Sequence, residues 1–317
     1  MNHEASDPDH PPVPWNAVEI VILVFLVLIF WQSVVNEVLR ATGFFAWYYP
    51  GETPGLEARQ LLWLRALAFP FQVATVPLFL ALLHGVRPAQ LGLTRARFAR
   101  NLWLGTVAAV VLTPLVLGLF QVLLWLNKHY LGATEEEHPL ARLAKMDLSR
   151  VEWMLWVFAA VIAAPVIEEL LFRGVFQAWA RKARWGGAVG VALAAVLAVA
   201  LRWQELQAAV QRVNVVGWSA AGEVLLACAP LLFVLALLPV FVLTLRRSRN
   251  SAAPAIFGTS LLFAMVHVAV WPSPVALFIL ALGLGTLKER THSLVGPITL
   301  HSLFNAVSCA LLFFGAA

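Results

Sequence analysis

The chain is 317 residues long, 61% hydrophobic and 12% charged, with a formal net charge of +5. About a quarter of a soluble domain is charged, so this composition excludes one and implies a polytopic membrane protein. The basic residues fall in short clusters beside apolar stretches rather than along one stripe. That placement argues for no nucleic acid as partner and for the lipid bilayer instead.

Residues 1–14 contain no Lys or Arg and so lack the basic region of a cleaved signal peptide. They read as a short disordered cytoplasmic tail, with the first apolar span acting as an uncleaved insertion signal. Crossing the hydrocarbon takes about 20 apolar residues as helix. In chain order the candidates are 15–35, 61–83, 101–126, 153–180, 223–245, 254–271 and 296–315, with two shorter ones at 186–202 and 273–287. The fold class expected is therefore all-α, a transmembrane helical bundle of about seven to nine spans. N-terminal helices occupy 15–150, and the motif-bearing region occupies 151–317.

Loop charge sets the expected orientation. Arg87/Arg95/Arg97/Arg100, Arg181/Lys182/Arg184, Arg246/Arg247/Arg249 and Lys288/Arg290 fall on one side of the bundle if both short spans cross, and that side is assigned to the cytoplasm. The loop 127–150 carries Glu135-Glu136-Glu137 and reads as a solvated connector, with an interfacial surface helix as the alternative. Cys228 and Cys309 lie in apolar runs and read as buried thiols, without a disulfide framework or a cysteine zinc site.

Three polar elements stand out at membrane depth, where ionisable groups cost several kcal/mol and are seldom kept without a role. The first is Glu168-Glu169 with Arg173, in the candidate helix 153–180. Glu169 and Arg173 are spaced i,i+4 and can pair. Glu168 points about 100° away and can face a cavity. Pro165, about one turn earlier, removes a backbone donor and loosens the helix there. A buried carboxylate beside a second one is a candidate general base, whereas an internal ion pair locking two helices would account for one glutamate only. The second element is Phe263 and His267 in 254–271, where a lone histidine can equally be a packing residue. The third is His301 and Asn305, also at i,i+4, which can donate into a shared cavity or hold helices together. Together these side chains supply a base, an acid or ligand, and donors for an oxyanion: the parts for hydrolysis by activated water.

The ordered set EExxxR, FxxxH and HxxxN on separate apolar helices, with Leu91-Gly92-Leu93 upstream, resembles the CAAX-protease and bacteriocin-processing (CPBP, or Abi) family of intramembrane proteases. The resemblance covers about 151–317. It implies an intramembrane endopeptidase acting on membrane-associated protein or peptide substrates, prenylated CAAX chains among them, from within a cell (inner) membrane. It further implies Glu168 as the base that activates water, with Glu169 sharing or supporting that role and His267 assisting. His301 and Asn305 would stabilise the oxyanion, while Arg173 and Phe263 support the site. The family has been described both as glutamic and as metalloproteases. If a metal such as zinc is used, Glu168, His267 and His301 could supply the three protein ligands such a site wants. The spacing between the first two motifs is wider than usual for the family, so 186–250 reads as an inserted transmembrane hairpin, possible only if it holds an even number of spans.

Other readings stay open on the residues alone. Gly258-Thr259-Ser260 resembles the nucleophile motif of serine intramembrane proteases, but Leu261 stands where the second glycine is needed. Intramembrane Glu and His also suit a proton-coupled transporter or channel. A catalytically inert membrane scaffold on the protease fold is the third alternative.

Overall fold

The computed structural model describes residues 13–131, 142–143, 145–182, 185–217, 221–248 and 252–315. The 1–14 tail, the acidic run 135–137, Arg184 and Arg249 lie wholly or mostly outside the described residues. Among the described residues there is no strand. The helices are α1 (Ala17–Ala41), α2 (Phe44–Tyr48), α3 (Leu56–His84), α4 (Phe98–Leu131), α5 (Arg150–Ala180), α6 (Gly186–Ala200), α7 (Trp203–Val216), α8 (Ala221–Arg247), α9 (Ala252–Met265), α10 (Ser273–Thr291) and α11 (Val295–Gly315). Six of them are long and apolar enough to cross a membrane, or seven if the bent pair α6–α7 counts as one span. The protein is thus an all-α, multi-pass integral membrane protein.

Every apolar span expected from hydropathy is helical, and two departures are informative. The span 254–271 stops early: α9 ends at Met265, and 266–272 is a run of turns that contains His267. Val266, Val268 and Val270 are weak helix formers, and Pro272 and Pro274 disfavour helix in the residues before them. Proline is tolerated in the first turn of the next helix, and α10 begins with Ser273-Pro274. The second departure is α7, WQELQAAVQRVNVV, which hydropathy did not mark because its polar residues dilute the apolar ones. It meets α6 at a 50° bend. The segment 186–250 therefore carries three helical pieces where two spans were expected. Cys309 is buried, whereas Cys228 is only half-buried.

The chain divides into two compact units. The first comprises Met1–Ala109, His138–Phe176 and Thr291–Ala317; the second comprises Val110–Glu137 and Gln177–Arg290.

Polar contacts tie the first unit together. Glu152 is buried near the start of α5. It accepts both Oε contacts from Arg59 Nη1 (2.8 and 2.7 Å) and a hydrogen bond from Tyr49 Oη (2.8 Å). It also closes a capping box with Ser149. Burial first, and then the bond to Glu152, hold the Tyr49 phenol above its usual range. Deeper in, Leu294 N at the entry to α11 donates to Gly92 O (2.9 Å). A Cβ on Gly174 would lie 3.2 Å from Leu91 O. The Leu91-Gly92-Leu93 segment thus runs against the glycine of EELLFRG on one side and the start of α11 on the other.

The second unit is built on close backbone approach. A Cβ on Gly187 of α6 would meet Pro254 O of α9 at 2.0 Å, and one on Gly258 of α9 would meet Gly187 O at 2.0 Å. Small residues at such crossings let membrane helices approach within contact of their backbones. Around them Val191, Ala194, Phe241, Phe257, Leu261 and Phe278 form the apolar core.

Candidate active site

The helix that carries the two glutamates is not uniform. In α5 the stretches Ala159–Ala163 and Leu170–Phe176 are π-helical, and α-helix between them spans Ala164–Glu169. Such widened turns are rare and recur at functional positions. The first one explains itself from sequence. In the π pattern Ala164 N donates to Ala159 O, five residues back. The next carbonyl, Ala160 O, would then be served by residue 165, but that is a proline without an N–H. Asn305 Nδ2 on α11 donates to Ala160 O instead, at 2.8 Å. One of the two amide hydrogens of Asn305 is therefore engaged with backbone, and the contact pins α11 to α5 about two turns before the glutamates.

The adjacent glutamates differ in surroundings. Glu169 is fully buried, and its Oε1 accepts from Arg173 Nη1 (2.9 Å) and lies 2.9 Å from His301 Nδ1. The side chains of both Glu169 and Arg173 are wholly inaccessible. A carboxylate ion-paired with arginine accepts, so His301 Nδ1 carries the proton and donates, which leaves Nε2 with a lone pair when the ring is neutral. That Nε2 is 3.9 Å from Glu168 Oε2. Glu168 keeps 26% of its side chain accessible. Its Oε2, like Glu169 Oε2, has no hydrogen-bond partner among the described residues.

Helix α3 packs along this stretch of α5 and contributes a residue that the motifs do not include. Arg65 of α3 is half-buried and electrostatically coupled to Glu168. Arg173 is coupled to both glutamates. A lone arginine within an apolar span was the available signal for Arg65.

The first unit therefore brings together Glu168, Glu169, Arg173, His301 and Asn305. Phe263 and His267 belong to the second unit. Phe263 is buried in the last turn of α9, and His267 lies in the turn after it, with Nδ1 3.0 Å from Phe263 O and its ring 5.1 Å from the phenyl ring. A carbonyl can only accept, so Nδ1 carries a proton and Nε2 is the atom left for chemistry when the ring is neutral. Among the described residues no group of three or more His, Cys, Asp or Glu side chains forms a cluster that could hold a metal ion.

Fold and site together define a multi-pass membrane protein with a carboxylate–histidine centre on its transmembrane helices. The family model described as type II CAAX prenyl endopeptidase Rce1-like matches residues 150–248 and 231–307. The first stretch contains Glu168, Glu169 and Arg173; the second contains His267, His301 and Asn305. The chain belongs to this family, the CPBP (Abi) family, whose members are CAAX-type intramembrane proteases. No curated protein and no solved structure matches the chain.

Proposed function

We propose that the protein is an endopeptidase that hydrolyses peptide bonds of membrane-associated substrates, prenylated CAAX-type chains among them, with Glu168 as the general base. The observation that carries this reading is the unequal treatment of two adjacent carboxylates. Glu169 is wholly buried and spent on Arg173 and His301, whereas Glu168 keeps a quarter of its side chain accessible. Glu169 accordingly orients His301, and Glu168 meets the water. In the forward step Glu168 takes a proton as the water oxygen bonds to the scissile carbonyl carbon. The carbonyl π pair moves onto oxygen as an oxyanion. When that intermediate collapses, the C–N bond breaks and the leaving amine takes the proton back from Glu168.

His267 is given its assisting role by family resemblance. No metal cluster forms among the described residues, so no step is routed through zinc; sensitivity to chelation is the direct test of the metal reading. The bilayer expected is a cell inner membrane, with the site reached from the cytoplasmic side. The 186–250 segment is assigned to substrate or partner contact.

The test is cleavage of a panel of quenched peptides, prenylated and plain, by purified protein in liposomes, with and without chelator. Glu168→Gln is expected to lower turnover by about 10²–10⁴-fold, the range for a positioned acid–base group, with little change in thermal stability. His267→Ala should lower it as well. Wild-type turnover that survives Glu168→Gln would overturn the assignment.

A further inference from the structure

Arg65 sits about 14 Å along α3, well inside an apolar span. The buried residues of that helix run Leu62, Ala68, Gln72, Val76, Leu80 at helical spacing. Arg65 is three positions from both Leu62 and Ala68, on the same inward face. Leu62, three positions before it, clusters with Trp156 and Ala160 of α5, and the Phe69 ring, four positions after it, lies edge-on to Phe158 of α5 at 5.2 Å, so Arg65 is turned toward α5, where its charge interacts with that of Glu168. Yet among the described residues it makes no hydrogen bond and no close ion pair. An arginine inside a membrane helix is usually paired, and this one has its five donors free beside the carboxylate proposed to activate water. The donors assigned to the oxyanion from sequence are meanwhile partly committed: Asn305 Nδ2 to Ala160 O, and His301 Nδ1 to Glu169.

We propose that Arg65 is a further catalytic residue, whose guanidinium receives the oxyanion formed when water adds to the scissile carbonyl. A preorganised cation aimed at charge that develops only in the transition state acts on turnover rather than on substrate binding. Proximity to Glu168 fits, because the oxyanion forms on the carbon that Glu168's water attacks. This role rests on Glu168 being the base, and the two readings can fail separately.

The experiment compares wild type, Arg65→Gln, Arg65→Lys and Glu168→Gln in liposomes, using a cleaved peptide, its phosphinic analogue as a tetrahedral anion, and the uncleaved product peptide. Arg65→Gln is expected to lower kcat by about 10²–10³-fold with KM nearly unchanged. Affinity for the phosphinic analogue should fall in parallel, while product affinity holds. Arg65→Lys keeps the charge without the planar fork and should recover part of kcat. Unchanged kcat in Arg65→Gln, or equal loss of phosphinic and product binding, would overturn the role. Failure of the base reading shows differently, as Glu168→Gln turning over like wild type.

Discussion

The two compact units hold their helices by different means, and the difference marks where chemistry can live. In the first, beside a close glycine approach of Gly105 to Gly296, polar side chains do much of the joining: Arg59 and Tyr49 on Glu152, Arg173 and His301 on Glu169, Asn305 on Ala160. In the second, backbones touch directly through Gly187 and Gly258 around an apolar core, and polar ties among the described residues are fewer: Gln177 Nε2 to Gly285 O and Arg181 to Glu289. Lipid tails are as apolar as leucine, so helices in a membrane associate by packing and by polar contact rather than by burial from water. A unit joined by hydrogen bonds to named donors fixes side chains in orientation, which a proton-transfer site requires. A glycine contact such as that between α6 and α9 fixes helix spacing and brings no titratable group to the crossing.

The largest effect should come from breaking the first kind of joint. Glu169 and Arg173 are both fully buried, so removing Arg173 leaves the Glu169 charge buried with only the His301 contact to offset it. Arg173→Ala is expected to cost about 3–5 kcal/mol, read as thermal unfolding in detergent. Arg173→Lys keeps the charge and should lose less. Wild-type stability in Arg173→Ala would show that the pair does not hold the first unit together. The second kind of joint should break with the opposite sign from its helix propensity. Alanine is normally the better helix former, by about 1 kcal/mol over glycine. At Gly187, however, the added Cβ would lie 2.0 Å from the Pro254 carbonyl oxygen, a backbone atom that cannot rotate away. Gly187→Ala should therefore destabilise, by about 1–3 kcal/mol as for other overpacked cores. A gain in melting temperature would mean that α6 and α9 are not in backbone contact.

Much of this was legible in the sequence, for physical reasons that also explain the rest. Apolar length is a strong signal, so every expected span is helical over most of its length, with 254–271 leaving the helix after Met265. The i,i+4 pairing of Glu169 with Arg173 follows from helix geometry and is present. Hydropathy saw nothing of α7, whose Gln, Glu and Arg hide its helical character, and it ran α9 on through His267 because valines are apolar whether or not they are helical. Expecting Pro165 to loosen α5 anticipated the right place, but not the form, since a π turn depends on a partner from another helix. Arg65 escaped because it belongs to no motif; its meaning comes from the helix it faces.

That partner offers the finest test. Asn305 has been read in two ways, as a donor to the oxyanion and as the group that serves Ala160 O where Pro165 cannot. Asn305→Leu removes the amide at similar volume. If the backbone contact is its main work, stability falls by about 0.6–2 kcal/mol, the range for interhelical polar contacts in membranes. Loss of an oxyanion donor would instead lower kcat by about 10²–10³-fold at constant stability. A second substitution separates these outcomes further. Pro165→Ala restores a backbone N–H that can reach Ala160 O in the π pattern, so Asn305→Leu should cost much less stability in that background. The double-mutant cycle measures this coupling directly. An equal cost in both backgrounds would detach Asn305 from the proline and leave the widened turn without a cause in the sequence.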